Sequence, residues 1–273
     1  AQDYAEALKW YRLAAAQGDA IAQFNLGFMY DSGKGVAQNH AEALKWYRLA
    51  AAQGDALAQF NLGVMYDNGR GVTQDYAEAL KWYRLAAAQG NALAQGNLGV
   101  MYDSGRGIAQ DYAEALKWYR LAAAQGVALA QFNLGVMYGN GRGVTQDYAE
   151  ALKWYRLAAA QGNALAQGNL GFMYDSGKGV AQDYAEALKW YRLAAAQGNA
   201  LAQGNLGVMY GEGQGVAQNY VRAYMWFNIG AVSGSANAVK NRDIVAKRIA
   251  PQQIAEAQQM ASDCQQRNFK GCD

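Results

Sequence analysis

The chain has 273 residues, with 24 lysines and arginines against 22 aspartates and glutamates, and a formal charge of +2. The charges recur evenly along the sequence, so no basic stripe predicts nucleic-acid binding. The longest apolar stretches are the Leu-Ala-Ala-Ala ends of predicted helices, which are far shorter than a membrane span, so direct membrane insertion is not expected.

The tryptophans have one fixed spacing. All seven lie 36 residues apart, at Trp10, Trp46, Trp82, Trp118, Trp154, Trp190 and Trp226. A period of this size indicates a stacked repeat, in which each short unit buries its apolar face against its neighbours. Most of the 32 glycines follow the same period. The sequence therefore predicts one elongated helical array, without separate globular domains.

Each unit is predicted to hold two helices. In the unit of residues 20–54 the first helix runs from Ala20 to Tyr30 after an Asp19 N-cap, and a loop at 32–38 follows. The second helix begins at a capping box, read most clearly at Asp75-Tyr76-Ala77-Glu78 and at Asp3 to Glu6, with the cap and the N3 acid each bonding the other's N–H.

Two positions within the units carry specific expectations. Gly27 lies in the middle of a helix, where glycine costs about 1 kcal/mol against alanine, so we expect a close approach of the second helix there. Val127 stands where the other units have Asp or Asn as N-cap, and the loss of that cap should cost about 1 kcal/mol.

These motifs resemble a known family. Leu26-Gly27-x-x-Tyr30 followed by Ala43-x-x-x-Tyr47-x-x-Ala50 is similar to the tetratricopeptide pattern, although Gln23 stands where that pattern has tryptophan. The 36-residue period and the Gly-x-Gly-Val loop resemble the Sel-one-like repeat (SLR) family. This resemblance implies an all-α, right-handed superhelical solenoid of helix-turn-helix repeats.

The resemblance covers about residues 1 to 234, read as a leading half unit plus six helix pairs. Residues 235–273 are expected to form a C-terminal helical cap, with helices at 236–249 and from Pro251 to about Gln266. Because the chain begins at Ala1, partway through a unit, we expect that upstream units or a signal peptide have been removed.

The two cysteines give an indication of the cellular compartment of the protein. Cys264 and Cys272 lie outside the repeats with no further zinc ligand near them, so a disulfide and an exported or periplasmic location are favoured over two free thiols in the cytoplasm.

No residue set points to catalysis, a metal or a cofactor. His40 is the one histidine and takes the place of a tyrosine, so a structural role is expected, because a catalytic triad also needs a positioned nucleophile and acid. The loop around Lys34 follows a helix, whereas a phosphate-binding loop follows a strand. The Trp-Tyr pairs could form a carbohydrate platform, but their helical spacing favours the core. We therefore expect a protein that is not an enzyme.

Differences between copies suggest a binding face. In the first helix these differences fall on one face, where the same position is phenylalanine in three copies, at Phe24, Phe60 and Phe132, and glycine in three others, at Gly96, Gly168 and Gly204. The tetratricopeptide resemblance implies that positions matching 21, 24, 25, 28 and 31 line a concave groove. An asparagine ladder would run along it, formed by Asn25, Asn61, Asn97, Asn133, Asn169 and Asn205.

The resemblance implies a scaffold or adaptor that binds an extended polypeptide in this groove, with phenylalanines as apolar anchors and pockets between Phe60 and Gly96 and between Phe132 and Gly168. In one alternative, each asparagine bonds within its own unit and the Phe-Gly differences are neutral. A second alternative is an exported protein that binds peptidoglycan fragments or polysaccharide.

Overall fold

The computed structural model describes residues 4–272, and within that range it contains helices and connecting loops but no strand. The helices are α1 (Tyr4–Ala16), α2 (Ala20–Ser32), α3 (His40–Ala52), α4 (Ala56–Asn68), α5 (Tyr76–Ala88), α6 (Ala92–Ser104), α7 (Tyr112–Ala124), α8 (Ala128–Asn140), α9 (Tyr148–Ala160), α10 (Ala164–Ser176), α11 (Tyr184–Ala195), α12 (Ala200–Glu212), α13 (Tyr220–Val232), α14 (Ala236–Ala246) and α15 (Pro251–Gln266). The predicted all-α solenoid of helix-turn-helix repeats is confirmed.

The chain forms two compact units, Ala1–Ala130 and Gln131–Asp273. In the first, α2 packs on α3, α4 on α5 and α6 on α7, and each pair also contacts the next one. In the second, the same alternation runs from α9 to α13, and both α14 and α15 pack on α13. Within each unit, neighbouring helix pairs thus bury their apolar faces against each other, as a stacked repeat must.

Caps set the limits of the first helix in each repeat. The Asp19 carboxylate accepts a hydrogen bond of 2.7 Å from the Ala22 N–H at the start of α2. At the other end, Gly33 adopts φ +73° and donates its N–H to the Met29 carbonyl. The helix ends at Ser32, so the predicted end at Tyr30 was too early, because the chain first leaves the helical conformation at this glycine.

The second helix has the predicted N-cap but not the reciprocal bond. Asp75 accepts from the N–H groups of Ala77 and Glu78, at 2.9 and 3.0 Å. Its own N–H donates to the Tyr66 carbonyl at 3.0 Å, while the Glu78 carboxylate accepts from Trp82 Nε1 at 2.9 Å. The predicted bond from Glu78 is therefore wrong, because the preceding helix already supplies the acceptor. The matching box at Asp3 lies outside the described residues.

Gly27 allows α2 and α3 to approach closely, as predicted. A Cβ atom built on Gly27 would lie 2.7 Å from Tyr47 Cδ1, and Tyr47 is fully buried. The aromatic pairs divide between core and surface: the tyrosines are buried, whereas Trp46 and Trp82 are half-buried and pack on the core of the preceding repeat. The expectation that aromatics at helical spacing form the core holds for Tyr47, Tyr83, Tyr119, Tyr155 and Tyr191, whereas Tyr11 is half-buried.

The C-terminal segment closes the second unit. Helix α14 ends at Ala246, three residues before the predicted Ile249, whereas α15 has the predicted bounds with Pro251 at its first position. A disulfide joins Cys264, in the last turns of α15, to Cys272, which follows the helix. None of the helices in residues 4–272 has the length and apolar character needed to cross a bilayer.

Candidate functional site

A buried glutamine fixes the first helix of each repeat to the helices before and after it. Gln23 donates from Nε2 to the Ala15 carbonyl at 3.2 Å and accepts from Gln53 Nε2 at 2.8 Å. The same position is buried in every repeat, at Gln23, Gln59, Gln95, Gln131, Gln167 and Gln203. Sequence reasoning noted Gln23 only as a departure from the tetratricopeptide tryptophan and missed this role.

A carboxylate on the first helix pairs with the loop of the next repeat. Asp31 accepts from Arg70 at 2.6 Å and from His40 Nδ1 at 2.9 Å. One repeat later, Asp67 lies 3.6 Å from Arg106 Nη1 and accepts from the Tyr83 hydroxyl at 3.4 Å. His40 thus bonds, within its own repeat, the carboxylate that pairs with the next loop, which agrees with the structural role expected of it.

The asparagine ladder lies against buried tyrosine hydroxyls. Burial raises the pKa of Tyr47 and Tyr83, and the charges of the neighbouring carboxylates Asp31 and Asp67 raise it further, whereas the nearby amides of Asn61 and Asn97 lower it. Asn169 and Asn205 stand in the same relation to Tyr155 and Tyr191. These four amides therefore lie beside the tyrosine of the preceding repeat, and both a bond within the fold and contact with a ligand stay predictions for them.

The phenylalanines of the predicted groove are half-buried. The rings of Phe24, Phe60 and Phe132 pack at 5.9, 6.1 and 6.0 Å on the rings of Tyr47, Tyr83 and Tyr155, respectively. Part of each phenylalanine ring stabilises the repeat, and the remainder is open to solvent. Asn25 and Asn133 are half-buried at the matching positions of their repeats.

The first helices also expose a row of large apolar side chains. The row occupies the position matching Ile21 in each repeat and consists of Ile21, Leu57, Leu93, Leu129, Leu165 and Leu201. Phe28 and Phe172 are exposed on the same helical face, two turns after Ile21 and Leu165. These positions were predicted to face the groove by resemblance, but the copies scarcely differ at Ile21 and its counterparts, so variation gave no signal there.

In the second unit, phenylalanines, asparagines and exposed leucines of the first helices surround a cavity of about 250 Å³. Its lining combines two phenylalanines, two leucines, a glycine, an alanine and three asparagines, namely Phe132, Leu165, Gly168, Asn169, Phe172, Asn199, Leu201, Ala202 and Asn205. This is the place where sequence reasoning expected a pocket between Phe132 and Gly168. An adjacent cavity of about 290 Å³ shares Asn169 and Phe172 and reaches Gly139, Tyr155 and Lys178.

The described part of the chain offers no metal centre. Across residues 4–272 no three His, Cys, Asp or Glu side chains are grouped so that they could hold an ion. The lining of the two cavities combines aromatic rings, amides and one ammonium group. Such a surface binds by apolar contact, hydrogen bonding and charge.

The family of the chain follows from its repeats. The Sel1 repeat model matches residues 1–19, 20–55, 56–91, 92–127, 128–163, 164–199 and 200–234. The chain therefore belongs to the Sel1 repeat family, which confirms the predicted SLR resemblance. Sel1 repeats commonly mediate protein–protein interactions as scaffolds, and scaffolds of this kind are generally non-enzymatic.

Solved structures give the same result. A Sel1 repeat protein from Oxalobacter formigenes is 37% identical, with a TM-score of 0.75 over 83% of this chain and 91% of that one. The protective antigen c5321 of uropathogenic Escherichia coli, described as an SLR fold, is 30% identical, with a TM-score of 0.54 over 99% and 81%. The immunity protein PA5088 from Pseudomonas aeruginosa shares the fold at 21% identity and a TM-score of 0.51, over 80% and 82%. No curated protein sequence matches the chain.

Proposed function

We propose that this chain is a non-enzymatic scaffold that binds an extended polypeptide along the face of its first helices. The observation that carries the proposal is the cavity between Phe132 and Gly168, where an aromatic wall, exposed leucines and amide groups meet. Apolar side chains of a partner would bury area against Phe132, Leu165 and Leu201. The amides of Asn169 and Asn205 can both donate to and accept from a peptide backbone.

The repeat sets the spacing of the expected partner. Helices α10 and α12, which carry Leu165 and Leu201, are in contact, and packed helices lie about 8–10 Å apart. An extended chain advances about 3.3 Å per residue. One repeat therefore spans about three residues of the partner, and we expect its apolar side chains to recur at that interval.

A selection from displayed random peptides of about twelve residues tests the proposal. Leu165 and Leu157 are matched in exposure, at 52% and 49%. Leu165 lies on α10, the first helix of its repeat, whereas Leu157 lies on α9, the second helix of the preceding repeat. We expect Leu165→Asp to abolish binding of the selected peptides and Leu157→Asp to leave it unchanged, as measured by fluorescence anisotropy. Equal loss in both variants, or loss only with Leu157→Asp, would place binding elsewhere.

A parallel binding measurement with soluble peptidoglycan fragments addresses the glycan-binding alternative. The scaffold proposal expects no saturable binding of these fragments. If they bind and Leu165→Asp removes that binding while no peptide is selected, the first-helix face is a glycan site and the polypeptide proposal is wrong.

A further inference from the structure

We propose that the cavity at Gly139 binds an acidic side chain of the polypeptide partner, in the place that an aspartate of the chain itself occupies in other repeats. This inference rests on the proposed function, because the acidic group is assigned to a bound polypeptide. It adds a charged specificity position to a face that is otherwise apolar and amide-lined.

The other repeats show what this place normally holds. The position matching Gly139 is an aspartate at Asp31, Asp67, Asp103 and Asp175. Asp67 accepts from the hydroxyl of the buried Tyr83 and lies 3.6 Å from Arg106 of the next loop. The amide of the next repeat, Asn97 in this case, lies near the same tyrosine. Asp31 makes the pair with the next loop, through Arg70, and Asp175 makes the bond to the buried tyrosine, Tyr191. The arrangement is thus a carboxylate site formed within the chain.

At Gly139 the carboxylate is lost but its partners remain. Tyr155, Asn169 and Lys178 correspond to Tyr83, Asn97 and Arg106, and all three line the cavity of about 290 Å³. Tyr155 is 7% exposed, whereas Tyr83 is fully buried. A Cβ atom on Gly139 would lie 3.7 Å from the Tyr155 hydroxyl, so the vacated volume is directly beside that group.

The cation of this site is not neutralised within the described residues. Lys178 has no carboxylate partner in residues 4–272, and its ammonium lies over the rings of Tyr148 and Phe172, at 5.5 and 5.2 Å. These rings hold the ammonium at the rim of the cavity. An entering carboxylate would meet it together with the Tyr155 hydroxyl and the Asn169 amide, which are the group types that surround Asp67.

The cavity also opens towards the proposed peptide path. Asn169 and Phe172 line both this cavity and the one between Phe132 and Gly168. A polypeptide lying against Leu165 and Phe132 can therefore direct one side chain towards Lys178. The charge of the site favours an acidic side chain, because a carboxylate forms an ion pair with the Lys178 ammonium, whereas a neutral amide can accept a hydrogen bond from it but carries no opposite charge.

Gly211 provides an internal comparison. It is the second glycine at this position, but there the tyrosine is replaced by Phe227, and Glu212 lies in the cavity beside Arg248. The hydroxyl is missing and an acid of the chain is already present. The acceptor site for an external carboxylate is therefore specific to Gly139.

The test uses the full chain and a small probe, N-acetyl-aspartate N-methylamide, with the asparagine analogue as its neutral control. Side-chain amide signals are followed by NMR at pH 7. We expect saturable shifts at Asn169 with the aspartate probe only. Asn205, the matched amide beside Asp175, should not shift.

Two variants make the test specific. Gly139→Asp restores the aspartate seen in four other repeats, and its Cβ meets no atom closer than 3.7 Å, so the variant should fold normally. It should abolish the shifts at Asn169. Lys178→Gln, which copies Gln214 of the last repeat, should weaken binding of the probe about tenfold through loss of a charge-assisted bond.

The outcomes separate this inference from the proposed function. Absent shifts at Asn169, or shifts that persist in Gly139→Asp, would overturn the inference. If Leu165→Asp abolishes binding of selected peptides while Gly139→Asp leaves both their affinity and their preference for Asp and Glu unchanged, the scaffold proposal stands and the acidic subsite is wrong.

Discussion

Gly171 of α10 lies directly against the ring of Tyr191 in α11. A Cβ atom on Gly171 would be 2.6 Å from Tyr191 Cδ1, whereas a Cβ on Gly168, three residues earlier in the same helix, meets no atom closer than 3.6 Å. The two glycines therefore serve different purposes. Gly171 permits close helix packing, and Gly168 leaves space on the proposed binding face.

This pair gives the first prediction. Gly171→Ala should lower the free energy of unfolding by about 1–3 kcal/mol, because the Tyr191 ring must shift in a packed core. Gly168→Ala should raise it by up to about 1 kcal/mol through helix propensity. Urea unfolding monitored by circular dichroism measures both. Equal effects of the two substitutions would mean that the close approach at Tyr191 carries no energetic cost.

The buried glutamine gives the second prediction. Gln167 donates to the Ala159 carbonyl at 3.2 Å and accepts from Gln197 at 2.7 Å. Gln167→Leu should lower stability by about 1 kcal/mol, because hydrogen bonds between helices are lost in a buried place. The control is Gln252→Leu, at an exposed position of α15, which should change stability by less than about 0.5 kcal/mol. A stable Gln167→Leu variant would show that apolar packing alone joins the repeats.

The third prediction concerns the missing N-cap of α8. Val127 precedes α8 and has no side-chain acceptor, whereas Asn163 accepts from the Ala166 N–H at 2.9 Å before α10. Val127→Asn should raise stability by about 1 kcal/mol and Asn163→Val should lower it by a similar amount. Thermal unfolding of the two variants provides the measurement. A loss of stability in Val127→Asn would show that valine packing outweighs the cap.

The fourth prediction is a pH effect at Asp175. Burial raises the pKa of Asp175. The hydrogen bond from Tyr191 lowers this pKa, and the charge of Glu212 raises it. In this repeat Gln214 replaces the arginine that pairs with Asp31 and Asp67 elsewhere. Gln214→Arg should therefore lower the pKa of Asp175 and stabilise the folded chain at pH 7.

The sign of this effect follows from proton linkage. The raised pKa means that the folded wild-type chain binds the proton of Asp175 more tightly than the unfolded chain, so ionisation above pH 3.8 costs stability. The gain from Gln214→Arg should be below about 1 kcal/mol at this partly exposed site and should vanish as the pH falls and Asp175 is protonated. A gain that is independent of pH would not come from this pair.

The sequence predicted the repeat because its signals are periodic and local. The tryptophan spacing, the Asp19 cap and the mid-helix Gly27 each reflect a constraint within one unit or between adjacent helices. Gln23 was harder to interpret, because a glutamine in a helix gives no sign of burial unless its partner, Gln53, is known to lie beside it. The bond predicted for Glu78 failed for the same reason, since the competing Tyr66 carbonyl belongs to the preceding helix.

The candidate site was predicted in part. Comparison of copies identified Phe132, Gly168 and the asparagines, and the structure groups Phe132, Gly168, Asn169 and Asn205 around one cavity. That comparison could not show that Asn169 lies beside the buried Tyr155, because both residues are the same in neighbouring copies. The replacement of aspartate by Gly139 is visible in the sequence, but the sequence does not show which groups lose their partner there.

The glutamine bonds also bear on how the chain folds. Gln53 bonds Gln23 across 30 residues of sequence and Gly18 across 35, and Arg70 bonds Asp31 across 39. Contacts of such short sequence separation close with little loss of chain entropy, so a new helix pair can dock as soon as its neighbour has formed. The same locality allows a terminal pair to detach while the pairs behind it remain folded.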